Sequence, residues 1–190
     1  MTDIRLRTYI MHVEDLPGVL NRVTSLFRRR GYNIESLTVG RTEVSGVSRM
    51  TIVMEADDDA ARRIEANLYK LVNVLKVEDT TRRPCVTREL ALIKVHADKA
   101  SRAQVLQLAE VFRARVIDVA PEALIFEITG PRDKVDGLAS VLASYGIVEM
   151  VRTGAVAMLR SAEAVAADQE EPRPAWSGGN SVGPAGSTAA

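Results

Sequence analysis

The sequence predicts an α+β fold in which the order β-α-β-β-α-β is run through twice. Three observations predict it. Apolar residues alternate at period two in short runs bounded by turn residues, as strands require. Between these runs they recur at helical spacing. The whole pattern then returns after a polar stretch near residue 80.

In the first half, Thr8 to Val13 reads as a strand. Val19, Leu20, Val23, Leu26 and Phe27 follow at helical spacing. Arg28, Arg29 and Arg30 fall in the last turn, where cations oppose the negative end of the helix dipole. Gly31 is a stop able to adopt positive φ. Asn33 to Val39 reads as the second strand, with Asn33 entering it. The polar stretch Thr42 to Ser48, containing Gly46, is a connection. Met50, Ile52 and Met54 alternate with Arg49, Thr51 and Val53, the pattern of a half-buried strand. Asp57, Asp58 and Asp59 place negative charge at a helix start. Ile64, Leu68 and Leu71 form that helix's apolar stripe, and Val74 to Val77 closes the unit.

Thr80 to Pro84 is a linker ending in proline. Leu90 to Val95 is the next strand. Val105, Leu108, Ala109 and Phe112 share one helix face. Val116 to Val119 is a strand, Pro121-Glu122 a turn, and Leu124, Phe126 and Ile128 alternate as another strand. Val135, Leu138, Ala139 and Leu142 repeat the helical spacing. Ile147 to Met150 and Ala155 to Leu159 form one bent strand or two. Phe27-Arg28 and Phe112-Arg113 occupy matching places near the ends of the first helices. The pattern is therefore two ferredoxin-like βαββαβ domains. Residues 4–80 form the first, 81–85 the linker and 86–160 the second. Residues 161–190 are rich in Ala, Gly, Pro and Ser, with Trp176 the lone large apolar residue. Such a stretch buries too little surface to offset chain ordering, so a disordered tail is expected.

Composition narrows the function. Lys+Arg and Asp+Glu are both 25, so no net charge draws the chain to nucleic acid or anionic membrane. One cysteine excludes an internal disulfide. No run is long enough for a membrane helix, and the N-terminus lacks a signal peptide's apolar region. A cytoplasmic protein is expected. His12 and His96 lie in strand patterns and read as structural. Cys85, placed in the linker, has no second soft ligand beside it for zinc. The phosphate-binding glycine motifs are absent. No catalytic and no metal-binding residues are assigned. RNA-recognition domains share the βαββαβ order but stack bases on exposed aromatics. Here aromatics are 4% of the chain.

One segment points to a ligand. Glu14-Asp15-Leu16-Pro17-Gly18-Val19-Leu20 turns a strand into a helix. Pro17 suits a place near the first helical position. Gly18 lacks a Cβ, so a carboxylate can approach its amide. The free N–H groups of a helix start favour an anion. Asn33 can both donate and accept. Such a place can grip a small zwitterion, though spacing alone fits an ordinary capped helix between two strands better.

The run Leu26-Phe27-Arg28-Arg29-Arg30-Gly31-Tyr32-Asn33-Ile34-Glu35-Ser36-Leu37-Thr38-Val39 closely resembles the regulatory (small) subunit of acetolactate synthase, also called acetohydroxyacid synthase. So do Ser48-Arg49-Met50-Thr51-Ile52, Arg88-Glu89-Leu90 and Val116-Ile117-Asp118-Val119. The similarity covers residues 4–160. It implies an N-terminal ACT domain, a C-terminal ferredoxin-like domain, and a homodimer that binds the catalytic subunit. It also implies activation of that subunit and feedback inhibition by valine, or by leucine or isoleucine. The thiamine diphosphate, magnesium and FAD would belong to the catalytic subunit, with no cofactor in this chain. By the same resemblance the effector site comprises Asp15, Leu16, Pro17, Gly18, Val19 and Leu20, with Asn33 and Ile34 from the other subunit. Some relatives carry Asn at the position of Asp15. The alternative is a free-standing ACT-domain amino-acid sensor acting on another enzyme or a transcription factor.

Overall fold

A computed structural model describes residues 4–161. The first half runs β1 (Arg5–Glu14), α1 (Val19–Arg29), β2 (Ser36–Arg41), β3 (Val47–Ala56), α2 (Asp58–Leu68) and β4 (Val74–Asp79). Its sheet order is β2-β3-β1-β4, all antiparallel. The second half runs β5 (Cys85–His96), α3 (Arg102–Val111), β6 (Arg115–Ala120), β7 (Ala123–Gly130), α4 (Arg132–Leu142), a short 3₁₀ turn (Ala143–Tyr145), β8 (Ile147–Arg152) and β9 (Val156–Leu159). Its sheet order is β6-β7-β5-β8. The expected pair of ferredoxin-like units is present.

Each half has its own core. Tyr9, Met11 and Val13 of β1 and Met50, Ile52 and Met54 of β3 pack under Val23 and Phe27 of α1 and Ile64 and Leu68 of α2. In the second half Ile93, Val95, Leu124, Phe126 and Ile128 pack under Val105, Leu138 and Leu142. Strand alternation and helical spacing thus converge on the same buried faces.

Several elements differ from expectation. Strand β3 is not half-buried: Thr51 and Val53, on the face away from the helices, are buried too, as is Ile10 beside them. The second half covers part of that face. The Arg49 guanidinium donates to the Ala157 carbonyl (2.6 Å), and the Ala155 N–H donates to Ser36 Oγ (2.9 Å). Cys85 opens β5 instead of lying in the linker. The C-terminal strand is two strands pairing with different parts of β5. Strand β8 lies along Ala91 to Val95, and β9 along Cys85 to Arg88. Leu71 lies beyond α2, though it still packs on the core.

The two phenylalanines do not match. Gly31, at φ +70, follows the last residue of α1's terminal turn. Its N–H donates to the Arg28 carbonyl (3.1 Å), and that of Tyr32 to the Phe27 carbonyl (3.1 Å). This is a Schellman motif. Helix α3 ends in the same motif, with Arg113 donating to Glu110 (2.9 Å) and Ala114 to Ala109 (2.9 Å). Phe27 therefore corresponds to Ala109, and Gly31 to Arg113. Of the tail, residues 162–190 lie outside the described residues, and Trp176 with them. No helix among the described residues is long and apolar enough to cross a membrane.

Candidate effector site at the start of the first helix

Strand β1 ends at Glu14 and the chain turns sharply into α1. The turn is fastened from several sides. The Glu14 N–H donates to the Asn73 carbonyl (3.0 Å), and the Asp15 N–H to the Gly46 carbonyl (2.8 Å). The Asn73 side chain joins Glu14 (2.5 Å) to Arg22 (2.6 Å). Gly46, with φ +78, thus contributes its carbonyl to holding the loop.

The Val19 N–H donates to the Leu16 carbonyl (3.3 Å), which closes a turn over Pro17 and Gly18 before the helix begins. Pro17 therefore stands ahead of the capping residue and outside the first helical turn. Gly18 is the capping residue itself, at φ +86. That left-handed conformation is where glycine is needed. Its missing Cβ would point into open space.

No side chain caps α1. Among the described residues the N–H groups of Gly18, Leu20 and Asn21 have no acceptor. These are the orphan donors of a helix start, at the positive end of its dipole. Leu16 and Leu20 stand exposed beside them, while Val19 turns into the core. The geometry suits a ligand with a carboxylate and an aliphatic side chain.

Asp15 is already engaged. Its carboxylate accepts from Ser48 Oγ (3.2 Å) and pairs with Arg41 (3.3 Å). Ser48 and Arg41 were not read as site residues. They lie over 20 residues away in the chain; the β1-β3 pairing brings Ser48 to the loop, and the β2-β3 pairing sets Arg41 beside it. A ligand ammonium approaching Asp15 must share it with Arg41.

Asn33 and Ile34 lie elsewhere. Both precede β2, which starts at Ser36, so Asn33 does not enter the strand. They follow the C-terminal end of α1, whereas Gly18 caps its N-terminal end. Eleven helical residues at about 1.5 Å each separate the two by roughly 16 Å. One copy of the chain does not bring Gly18 and Asn33 together.

Other candidates for chemistry are structural. Asp57 caps α2, accepting the Ala60 N–H (2.7 Å). Asp58 is gripped by Arg7, then Arg5 and Arg82, which hold its carboxyl well below the usual range. No cluster fit to hold a metal occurs among the described residues. His12 Nδ1 is buried without a partner, and burial, then nearby Arg49, lower the imidazole's pKa.

The comparisons agree over both halves. A family model for the AHAS small subunit-like ACT domain matches residues 10–76. A second, for the small subunit of acetolactate synthase, matches residues 88–161. A probable acetolactate synthase small subunit of Archaeoglobus fulgidus is 49% identical over 153 residues, 80% of this chain and 96% of that protein. The acetolactate synthase small subunit of Mycobacterium bovis is 50% identical over 156 residues, 82% of this chain and 93% of that protein. The crystal structure of the acetolactate synthase small subunit from Thermotoga maritima matches with a TM-score of 0.76 at 44% identity. That match covers 82% of this chain and 98% of the other. The chain belongs to the acetolactate synthase small-subunit family.

Proposed function

We propose that this chain is the regulatory subunit of acetolactate synthase. It binds the catalytic subunit, raises its turnover, and makes it sensitive to valine, with leucine and isoleucine as related effectors. Thiamine diphosphate, magnesium and FAD belong to the catalytic subunit. The observation that carries this reading is the match to small subunits along both halves of the chain.

The effector site is Asp15 to Leu20 of one subunit with Asn33 and Ile34 of its partner in a homodimer. The uncapped start of α1 supports the carboxylate end of this reading, and exposed Leu16 and Leu20 support the aliphatic end. The separation of Gly18 from Asn33 within one chain supports a site shared between copies. Inhibition requires that valine prefer one state of the holoenzyme, and such couplings are typically ~1–3 kcal/mol.

The test is acetolactate formation by the catalytic subunit with and without this chain, titrated with valine, leucine and isoleucine. Increased turnover and saturable inhibition by valine are expected only when both are present. Unchanged turnover would instead favour a sensor serving another protein.

A further inference from the structure

A cleft of about 400 Å³ opens in the second half, between the end of α3, the end of β7 and the start of α4. Arg88 from β5, Arg113 after α3 and Lys134 from α4 all line it, and no carboxylate does. None of the three pairs with a carboxylate among the described residues. Arg88 donates to the carbonyl of its neighbour Thr87 (2.8 Å), and Lys134 Nζ to that of Thr129 (3.0 Å). The nearby Asp133 carboxylate turns back to accept the Lys134 backbone N–H (2.9 Å). Three like charges drawn from separate elements line one cleft with no carboxylate among them, which favours an anion there over a cation.

Arg113 adds to this. It sits at φ 54, and it is the non-glycine residue with positive φ among those described. The equivalent place in the first half holds Gly31. The Schellman motif needs the backbone shape and not a side chain, so glycine would serve the fold better.

We infer that this cleft binds a small molecule through a phosphoryl or diphosphoryl group. A multiply charged oxyanion with several acceptors matches three separated cations, where a lone carboxylate is satisfied by one guanidinium. Phe112 and Val111 give the cleft an apolar wall, and its volume exceeds that of a single phosphate.

The full chain is titrated by calorimetry with inorganic phosphate, pyrophosphate, phenyl phosphate and acetate. Pyrophosphate is expected to bind at least tenfold more tightly than acetate. Arg113→Gly should weaken pyrophosphate about tenfold or more, as loss of a charge-assisted bond does. That variant relieves the left-handed strain, so its Tm should not fall. Lys134→Gln should weaken pyrophosphate as well. Valine binding, assigned to the other half, should be unchanged in both variants. Phenyl phosphate tighter than phosphate identifies an ester as the ligand; equal affinities identify the free ion. Pyrophosphate no tighter than acetate, or unaffected by both substitutions, overturns the inference. If pyrophosphate does not bind while Arg113→Gly weakens association with the catalytic subunit, the cations dock an acidic protein surface, and the inference is overturned likewise.

Discussion

The two halves fasten their helix starts differently. In the first half α1 begins at Gly18 with no side-chain cap, whereas Asp57 caps α2. In the second half Ser101 offers α3 no side-chain cap, but Asp98 closes the turn just ahead of it. Its carboxylate accepts from the N–H groups of Ala100 (3.1 Å) and Ser101 (2.8 Å) and from Ser101 Oγ (2.6 Å). There α4 begins after Pro131, which offers no cap. One topology thus carries a side-chain cap at α2 alone, with Asp98 fastening the turn before α3. A capped start spends its donors on the fold, and an open one keeps them for a ligand. The halves resemble each other in their cores and differ at the places where a small anion would enter.

The largest effects should fall where the halves are alike. Phe27 and Phe126 are both fully buried, one in each core. Replacing either with alanine should cost about 3–5 kcal/mol, measured by urea unfolding. A much smaller cost at one of them would show that its core is looser and break the likeness.

A sharper difference is expected at Gly18. Gly18→Asp places a carboxylate beside the open N–H groups and strains the left-handed backbone. Charge effects at helix ends reach ~2 kcal/mol when partly buried. The valine concentration for half-inhibition should rise about tenfold or more, with activation of the catalytic subunit retained. Unchanged valine sensitivity would remove this loop from the site.

The capped starts should respond in the opposite way. Asp57→Ala should cost about 1 kcal/mol of stability without altering valine inhibition. Asp98 adds a pH signature. The Ser101 hydroxyl and N–H hold its carboxyl below the ordinary value of 3.8. A depressed folded-state pKa contributes stability above the unfolded value and loses it as pH falls through the folded one. Asp98→Ala should therefore lower Tm at neutral pH, and the gap from wild type should close as pH drops below about 4. A constant gap in scanning calorimetry would mean that the carboxylate does not cap the turn.

Much of this was legible in the sequence. Short-range periodicity reports which face of an element is apolar, and the strand and helix order followed from it. The stop at Gly31 was legible because positive φ there has one usual residue. Two misplacements share a physical cause, which is that partners distant in the chain decided them. Thr51 and Val53 read as a solvent face, yet both are buried, and the second half covers part of that face. Cys85 read as linker because its strand partner, Leu159, lies 74 residues on. Pro17 suits a helix start, yet it stands ahead of the cap, because the Val19 to Leu16 turn is a backbone event that Pro17 does not reveal. Phe27 and Phe112 looked equivalent by their shared neighbour, but the α3 terminus is marked by Arg113, where no glycine signals it. In the site, Gly18 carried a signal of its own. Arg41 and Ser48 carried none, since only strand pairing brings them to Asp15.

In the proposed effector site Gly18 stands at one end of α1, and Asn33 of a partner copy completes it. A ligand that binds only the shared site must stabilise the dimer by mass action. The direct measurement is sedimentation of the isolated chain over a dilution series, with and without saturating valine. The dimer should persist to lower concentration with valine, and Asn33→Ala should weaken both this shift and inhibition. Dissociation at the same concentration in both series, with calorimetry still recording bound valine, would contradict the shared site.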